Sequence, residues 1–279
     1  MIISMRLFLA QYISLSRYVL RHIALWAMLI ASYMGVITAT ALPAYAEQLV
    51  VEASQKLEWD QNKKLYIAQG DAFAQRGTQR IDAEIIRAFY AESENDGQDI
   101  TRLEAEGGVL LVDTEQELTG QSLIYDVVKS HYDVSGPDAR VSSPDGVATA
   151  SEKIIYDQAN GTIFLKGTAE MRLQDGREMA GDTLDITLDE AQAMDKLIAR
   201  GNVVLTQADG RQSRSDFADY NAATGKALLT GNVQIMAEGN ILNGQRAEID
   251  FNNGISRLLP DGAGGRVTGT LNLKSSSGN

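Results

Sequence analysis

A phrase with fixed internal spacing recurs along this chain: an aromatic residue, then Asp or Asn, with a glycine eleven residues after the aromatic. It reads Trp59-Asp60 to Gly70, Tyr125-Asp126 to Gly136, Tyr156-Asp157 to Gly167 and Tyr220-Asn221 to Gly231. A looser copy runs from Leu188-Asp189 to Gly201. After most of these glycines, small or polar residues alternate with apolar ones, as in Gly201-Asn202-Val203-Val204-Leu205. A period of about 30 residues is one small unit copied, and each copy needs its neighbours to bury its apolar face. Such a chain binds along its length rather than concentrating chemistry at one point.

The units begin near Val51, Ile81, Leu118, Val147, Met179, Ser213 and Ile241, and each holds two short strands. Alternation is clear in Leu65–Ala68, Thr162–Lys166, Leu184–Leu188 and Ala247–Phe251. Asn160-Gly161, Asp175-Gly176, Asp209-Gly210, Thr224-Gly225, Asn253-Gly254 and Asp261-Gly262 punctuate these runs. Such pairs favour the left-handed backbone that tight hairpins need. The expectation is an all-β chain of antiparallel strands. In each phrase one strand ends at the aromatic-Asp/Asn pair, where the polar side chain starts a turn, and the second leads into the glycine, which suits a bend or a strand crossing where a Cβ would intrude. Residues 136–146, with Gly136-Pro137 and Pro144-Asp145-Gly146, form the one internal seam, and Glu92–Asp99 reads as a polar exposed insertion.

The first 46 residues read as a leader outside this pattern. Arg6, Arg17 and Arg21 precede an apolar run from Ile23 to Leu42 that ends in Ala44-Tyr45-Ala46. That is the build of a secretory signal peptide, with cleavage expected after Ala46 and a periplasmic destination; retained, the run would be a membrane anchor. The leader holds three basic residues and no acidic one, so the formal charge moves from −12 to −15 on cleavage. A body this acidic repels nucleic acid and anionic membrane surfaces. Residues 47–273 form the folded body and 274–279 a frayed tail.

Several chemistries lack their residues. There is no cysteine, which rules out disulfides and thiol catalysis. The body holds one histidine, His131, so zinc sites built on two or three His or Cys ligands are excluded by count. No Gly-x-Ser-x-Gly elbow, P-loop or dinucleotide fingerprint occurs in a strand–turn–helix setting. The column of Asp60, Asp126, Asp157 and Asp189 leaves a polysaccharide-acting carboxylate pair or a calcium-binding β-solenoid as rivals. The short glycine-rich calcium repeat is absent, and a carboxylate before a tight turn is ordinary hairpin chemistry. No catalytic residue, metal or cofactor is expected.

The opening Leu49–Trp59, with the phrases Ile163–Ala169 and Leu228–Val233, resembles the OstA-like domain family of periplasmic lipopolysaccharide-transport proteins. The similarity covers essentially all of 47–273. It implies an antiparallel β-jellyroll of about seven two-strand repeats, folded into a V-shaped groove that holds the acyl chains of lipid A. It also implies head-to-tail homo-oligomers between LptC-like inner-membrane and LptD-like outer-membrane partners, joined by edge-strand pairing at about Gln48–Ala53 and Val267–Leu273. A retained leader would instead suit an LptC-like anchored component, and an adhesive β-solenoid without a cavity is a further alternative. By motif, the groove positions are Leu49, Val51, Leu111, Tyr125 and Tyr156. Alternation adds Ile67, Leu165, Leu205 and Ile235, and core packing is an equal reading for all nine.

Overall fold

Strand follows strand in this computed structural model, which describes residues 50–92, 98–113, 116–144, 146–190, 193–237, 240–260 and 267–270. The leader, Leu49, most of the polar insertion and the expected tail lie outside these residues. The first strands are β1 (Val50–Glu52), β2 (Lys56–Asp60), β3 (Leu65–Arg76), β4 (Gln79–Glu92), β5 (Gln98–Asp113) and β6 (Gln116–Asp126). Four short ones follow: β7 (His131–Ser135), β8 (Ala139–Ser143), β9 (Gly146–Ala150) and β10 (Lys153–Asp157). Then come β11 (Thr162–Leu173), β12 (Glu178–Leu188), β13 (Met194–Thr206), β14 (Gln212–Asn221), β15 (Lys226–Ala237) and β16 (Asn240–Asp250). The described chain closes with β17 (Ile255–Leu259) and β18 (Thr268–Thr270). All belong to one antiparallel sheet.

The repeated glycine bends the sheet. Gly70, Gly167, Gly201 and Gly231 stand at φ +83°, +80°, +71° and +78°, and Asp71, Thr168, Asn202 and Asn232 follow them at +41° to +48°. Two successive left-handed residues make a bulge, and the pairing register jumps there, between Gln69 and Ala72 or Lys166 and Ala169 for example. The sequence reading gives this glycine a bend or strand crossing; at Gly70, Gly167, Gly201 and Gly231 the strand runs on and its ladder resumes beyond the bulge, whereas at Gly136 the strand β7 has ended at Ser135. Each long strand is thereby split between two wings, and the sheet folds over along the line of bulges into a jellyroll. The first wing includes the short strands β2, β7, β10 and β17, and the second includes β1, β8, β9 and β18.

Asn202 and Asn232 tolerate this backbone and tie it down, since their Nδ2 atoms donate to Asp182 and Asp216 at 3.0 and 2.8 Å. Thr168 is β-branched and suits a left-handed conformation badly. Thr168→Asn is therefore expected to raise unfolding stability by about 1 kcal/mol, read from urea midpoints at unchanged slope.

The Asp/Asn of the phrase does what turn chemistry predicts. Asp60 Oδ1 accepts the N–H groups of Asn62 and Lys63 at 3.1 and 3.0 Å. Asp126, Asp157 and Asn221 accept those of Lys129, Asn160 and Thr224 at 3.0, 3.0 and 2.9 Å. Side-chain and backbone hydrogen bonds from Asn160 hold the Asp157 carboxyl below its usual range, and Asp60, Asp126 and Asp250 move the same way. The carboxylate column caps first-wing turns.

The core lies between the wings. Beside the bulges, where the wings converge, the sealed inward residues include the small Ala72, Ala105, Ala169, Ala199 and Ala218. Leu165, Leu184 and Leu229, in the same cross-strand row as Ala199 and Ala218, and Leu205 and Ile249 farther out are fully buried, each contributing roughly 1.5–3 kcal/mol.

One stretch of the chain occurs twice. β1–β2 carries Ala53-Ser54-Gln55-Lys56-Leu57 and ends Trp59-Asp60; β9–β10 carries Ala150-Ser151-Glu152-Lys153-Ile154 and ends Tyr156-Asp157. The backbone bonds match as well. Ser54 and Gln55 donate to Gly70 and Gln69, as Ser151 and Glu152 donate to Gly167 and Lys166. The two copies differ in their surroundings: β10 and β9 are each paired on their other side, by β7 and β8, whereas β2 and β1 pair with β3 alone among the described strands.

Candidate functional site

A cleft of about 500 Å³ opens between the wings where the second occurrence of that stretch begins. Strand alternation decides its walls, because every second side chain faces inward. The first wing supplies Tyr132 and Val134 of β7, Ile154 and Tyr156 of β10, Ile163 of β11, and Ile186 and Leu188 of β12. The second wing answers with Leu118 of β6, Val141 of β8, Ala148 of β9, and Met171 and Leu173 of β11. Polar lining residues sit at the tips of the wings: Gln116, Glu117, Gln174, Asp175, Arg177 and Asn252. The result is a hydrocarbon-lined slot with a polar mouth, within the usual ~300–1,000 Å³ of ligand clefts.

A ladder of tyrosines stiffens one wall. Tyr125 stacks on Tyr132 at 4.0 Å and 9°, and Tyr132 on Tyr156 at 5.9 Å and 19°, across the paired strands β6, β7 and β10. Burial, then the Tyr125 hydroxyl, pushes the Tyr132 phenol far up, and burial raises Tyr156. Both stay neutral in the slot.

Arg177 is the basic lining residue at the mouth. Burial works against its charge, but hydrogen bonds to Asp175 and Tyr220 outweigh that and hold the guanidinium above its usual value. Burial would raise the Asp175 carboxyl, and Arg177 overcomes it, leaving the carboxyl below the ordinary range.

Of the nine expected groove positions, Tyr156 lines the cleft. Tyr125 backs it through Tyr132, and Leu111 faces inward, between Ile81 and Leu118. Val51 faces inward at the sheet edge, opposite Ala74. Leu165, Leu205 and Ile235 are closed core, at most 3 % exposed. Ile67 is a correction: it pairs with Glu58 and Arg87 and shares their face, while its neighbours Tyr66 and Ala68 face inward with Trp59 and Leu57. Both faces of Leu65–Ala68 are apolar, so alternation alone set the phase wrongly. Leu49 lies outside the described residues. The sequence reading missed Ile154, Ile163, Met171 and Ile186; Ile154 was legible as the in-phase neighbour of Tyr156.

The family described as LptA/(LptD N-terminal domain) LPS transport protein matches residues 51–162 and again residues 151–255. The two matches overlap at β10, so the cleft straddles their junction. A solved structure of LptH, the LptA homologous periplasmic component of the lipopolysaccharide transport device of Pseudomonas aeruginosa, is similar at 14% identity and a TM-score of 0.41. That similarity covers 45% of this chain and 94% of LptH. No curated protein matches the sequence. The matched segments together run from residue 51 to 255, well over half of the sequence, and the chain belongs to the LptA/(LptD N-terminal domain) family of LPS transport proteins.

Proposed function

We propose that this chain carries lipopolysaccharide across the periplasm, holding the acyl chains of lipid A in the cleft while sugars and phosphates stay at the polar mouth. The observation that carries the reading is the apolar slot at the junction of two copies of an LPS-transport domain. Acyl burial contributes about 0.8 kcal/mol per CH₂, so affinity comes from the slot. It has to, because a body carrying −15 after cleavage at Ala46 repels an anionic glycolipid.

The bridging half of the proposal concerns the ends. The exposed large apolar residues include Val50, Val51, Leu57 and Trp59 at one edge and Ile241, Ile255 and Val267 at the other. Within the chain, β7–β8 already covers β10–β9, with Tyr132 opposite Tyr156 and Val141 opposite Ala148. β17–β18 ends the second copy as β7–β8 ends the first, so a following molecule, or an LptC-like or LptD-like partner of the same fold, would pair in that pattern. Such pairing would place Glu58 opposite Arg257. The chain is then a two-unit rod of a longer bridge, exported by the leader.

Native mass spectrometry of the exported chain, purified from a lipopolysaccharide-producing periplasm, tests both halves. A bound mass equal to the host glycolipid, lost on detergent exchange, and a ladder of multiples of the chain are expected. A bare monomer that also refuses added lipid A would end the proposal.

A further inference from the structure

Two second-wing turns have the same build, Asp175-Gly176-Arg177 between β11 and β12 and Asp209-Gly210-Arg211 between β13 and β14. In each, the arginine Nε donates to the aspartate Oδ2, at 2.8 and 2.7 Å, and its backbone N–H bonds Oδ1 at 3.1 Å. The aspartate therefore aims the guanidinium, and both side chains leave their own wing. The Arg177 guanidinium stands 5.7 Å from the centre of the Phe251 ring, and Arg211 Nη1 donates to the Gly254 carbonyl at 2.8 Å. Phe251 and Gly254 belong to one first-wing turn, between β16 and β17. Tyr220, the other partner of Arg177, meets Phe251 edge-on at 5.5 Å. Two arms from one lip thus converge on a single turn of the other. In the N-terminal copy the β3–β4 turn is tied sideways, with Thr78 and Gln79 donating to Asp113 of the same wing at 3.0 and 3.1 Å.

We propose that Arg177 and Arg211 form a clasp across the C-terminal side of the cleft mouth, closed in the empty protein and opened by an entering acyl chain. The opening step rests on reading the cleft as an acyl site; the closed clasp does not. A cation over a ring or a bond to a carbonyl at a half-exposed lip is worth about as much as one or two buried methylenes, so a chain sliding in displaces both arms. Opening strands no charge either, because Asp175 and Asp209 stay paired with the released arginines.

The chain has no cysteine, so Gln174→Cys on one lip and Ala223→Cys on the other accept one spin label each. Double electron–electron resonance then reads the lip separation in the full chain, alone and with 11-(dansylamino)undecanoic acid. Stopped-flow dansyl fluorescence reads entry of the same probe. Arg177→Ala with Arg211→Ala is expected to widen the empty lips to the separation of the loaded parent. Entry should speed up about tenfold, the effect of losing two such contacts. An empty-state separation and an entry rate equal to the parent's would overturn the clasp. If the double variant loses its sheet by circular dichroism, Arg211→Ala alone, which gives up the bond to Gly254, decides between the same two results. A parent that takes up no probe would refute the acyl site, while the separation without ligand still decides the clasp.

Discussion

Ala148→Trp leaves the sheet folded and lowers affinity for a long-chain acyl probe about a hundredfold. Ala148 sits on β9, opposite Val141 and Met171, with its methyl in the cleft wall. An indole there takes the place of about four methylenes, each worth ~0.8 kcal/mol, and the summed loss of ~3 kcal/mol is two decades in Kd. The substitution adds apolar bulk to an existing space, so neither a buried charge nor a cavity confuses the result. Fluorescence titration measures the affinity, and an unchanged urea midpoint certifies the fold. Parent-like binding by a folded variant would put the acyl site elsewhere.

Gly167→Val is the substitution expected to damage the fold most, by about 4 kcal/mol. Its φ of +80° is strained for any L side chain and more so for a β-branched one. A Cβ there would also stand 2.6 Å from Glu152 Cγ, 2.7 Å from Ser151 Oγ and 3.0 Å from the Glu152 backbone nitrogen. Those atoms belong to the stretch that joins β9 to β10, and the Ser151 N–H bonds the Gly167 carbonyl at 2.5 Å. The damage therefore falls on the junction of the two copies as well as on the bulge. Gly108→Ala is the contrast. Its φ is +79°, but nothing lies within 4 Å of the added Cβ, so about 1 kcal/mol of backbone strain is all that is expected. Equal urea midpoints for the two variants would show that crowding at the junction contributes nothing.

Legibility in the sequence followed the range of the forces involved. The Asp60, Asp126, Asp157 and Asn221 turns were readable because each side chain bonds backbone two or three residues away. The strand periodicity of β12 or β15 was readable because buried and half-exposed residues alternate there with little ambiguity. Ile67 went astray where both faces of β3 are apolar and only pairing with Glu58 and Arg87 sets the phase. Leu165, Leu205 and Ile235 face inward as alternation predicts, yet whether an inward residue meets a ligand or another side chain depends on the spacing of the wings. The Asp-Gly-Arg turns were visible as turns, but their arms cross to Phe251 and Gly254, 74 and 43 residues away, and no local pattern carries that distance.

The sequence by itself determined a repetitive antiparallel β chain, its turns, the kink-permitting glycines and its resemblance to lipopolysaccharide-transport domains, all through local backbone preference and side-chain order. Only the tertiary structure decided which of these glycines lie within a continuing strand, as at Gly70, Gly167, Gly201 and Gly231, and which follow a strand's end, as at Gly136, because a bulge is defined by the register of two strands. It also decided that the wings part around Tyr156 and close around Leu205. Cleft and core there use the same residue types, and the distance between two wings is a property of the folded sheet.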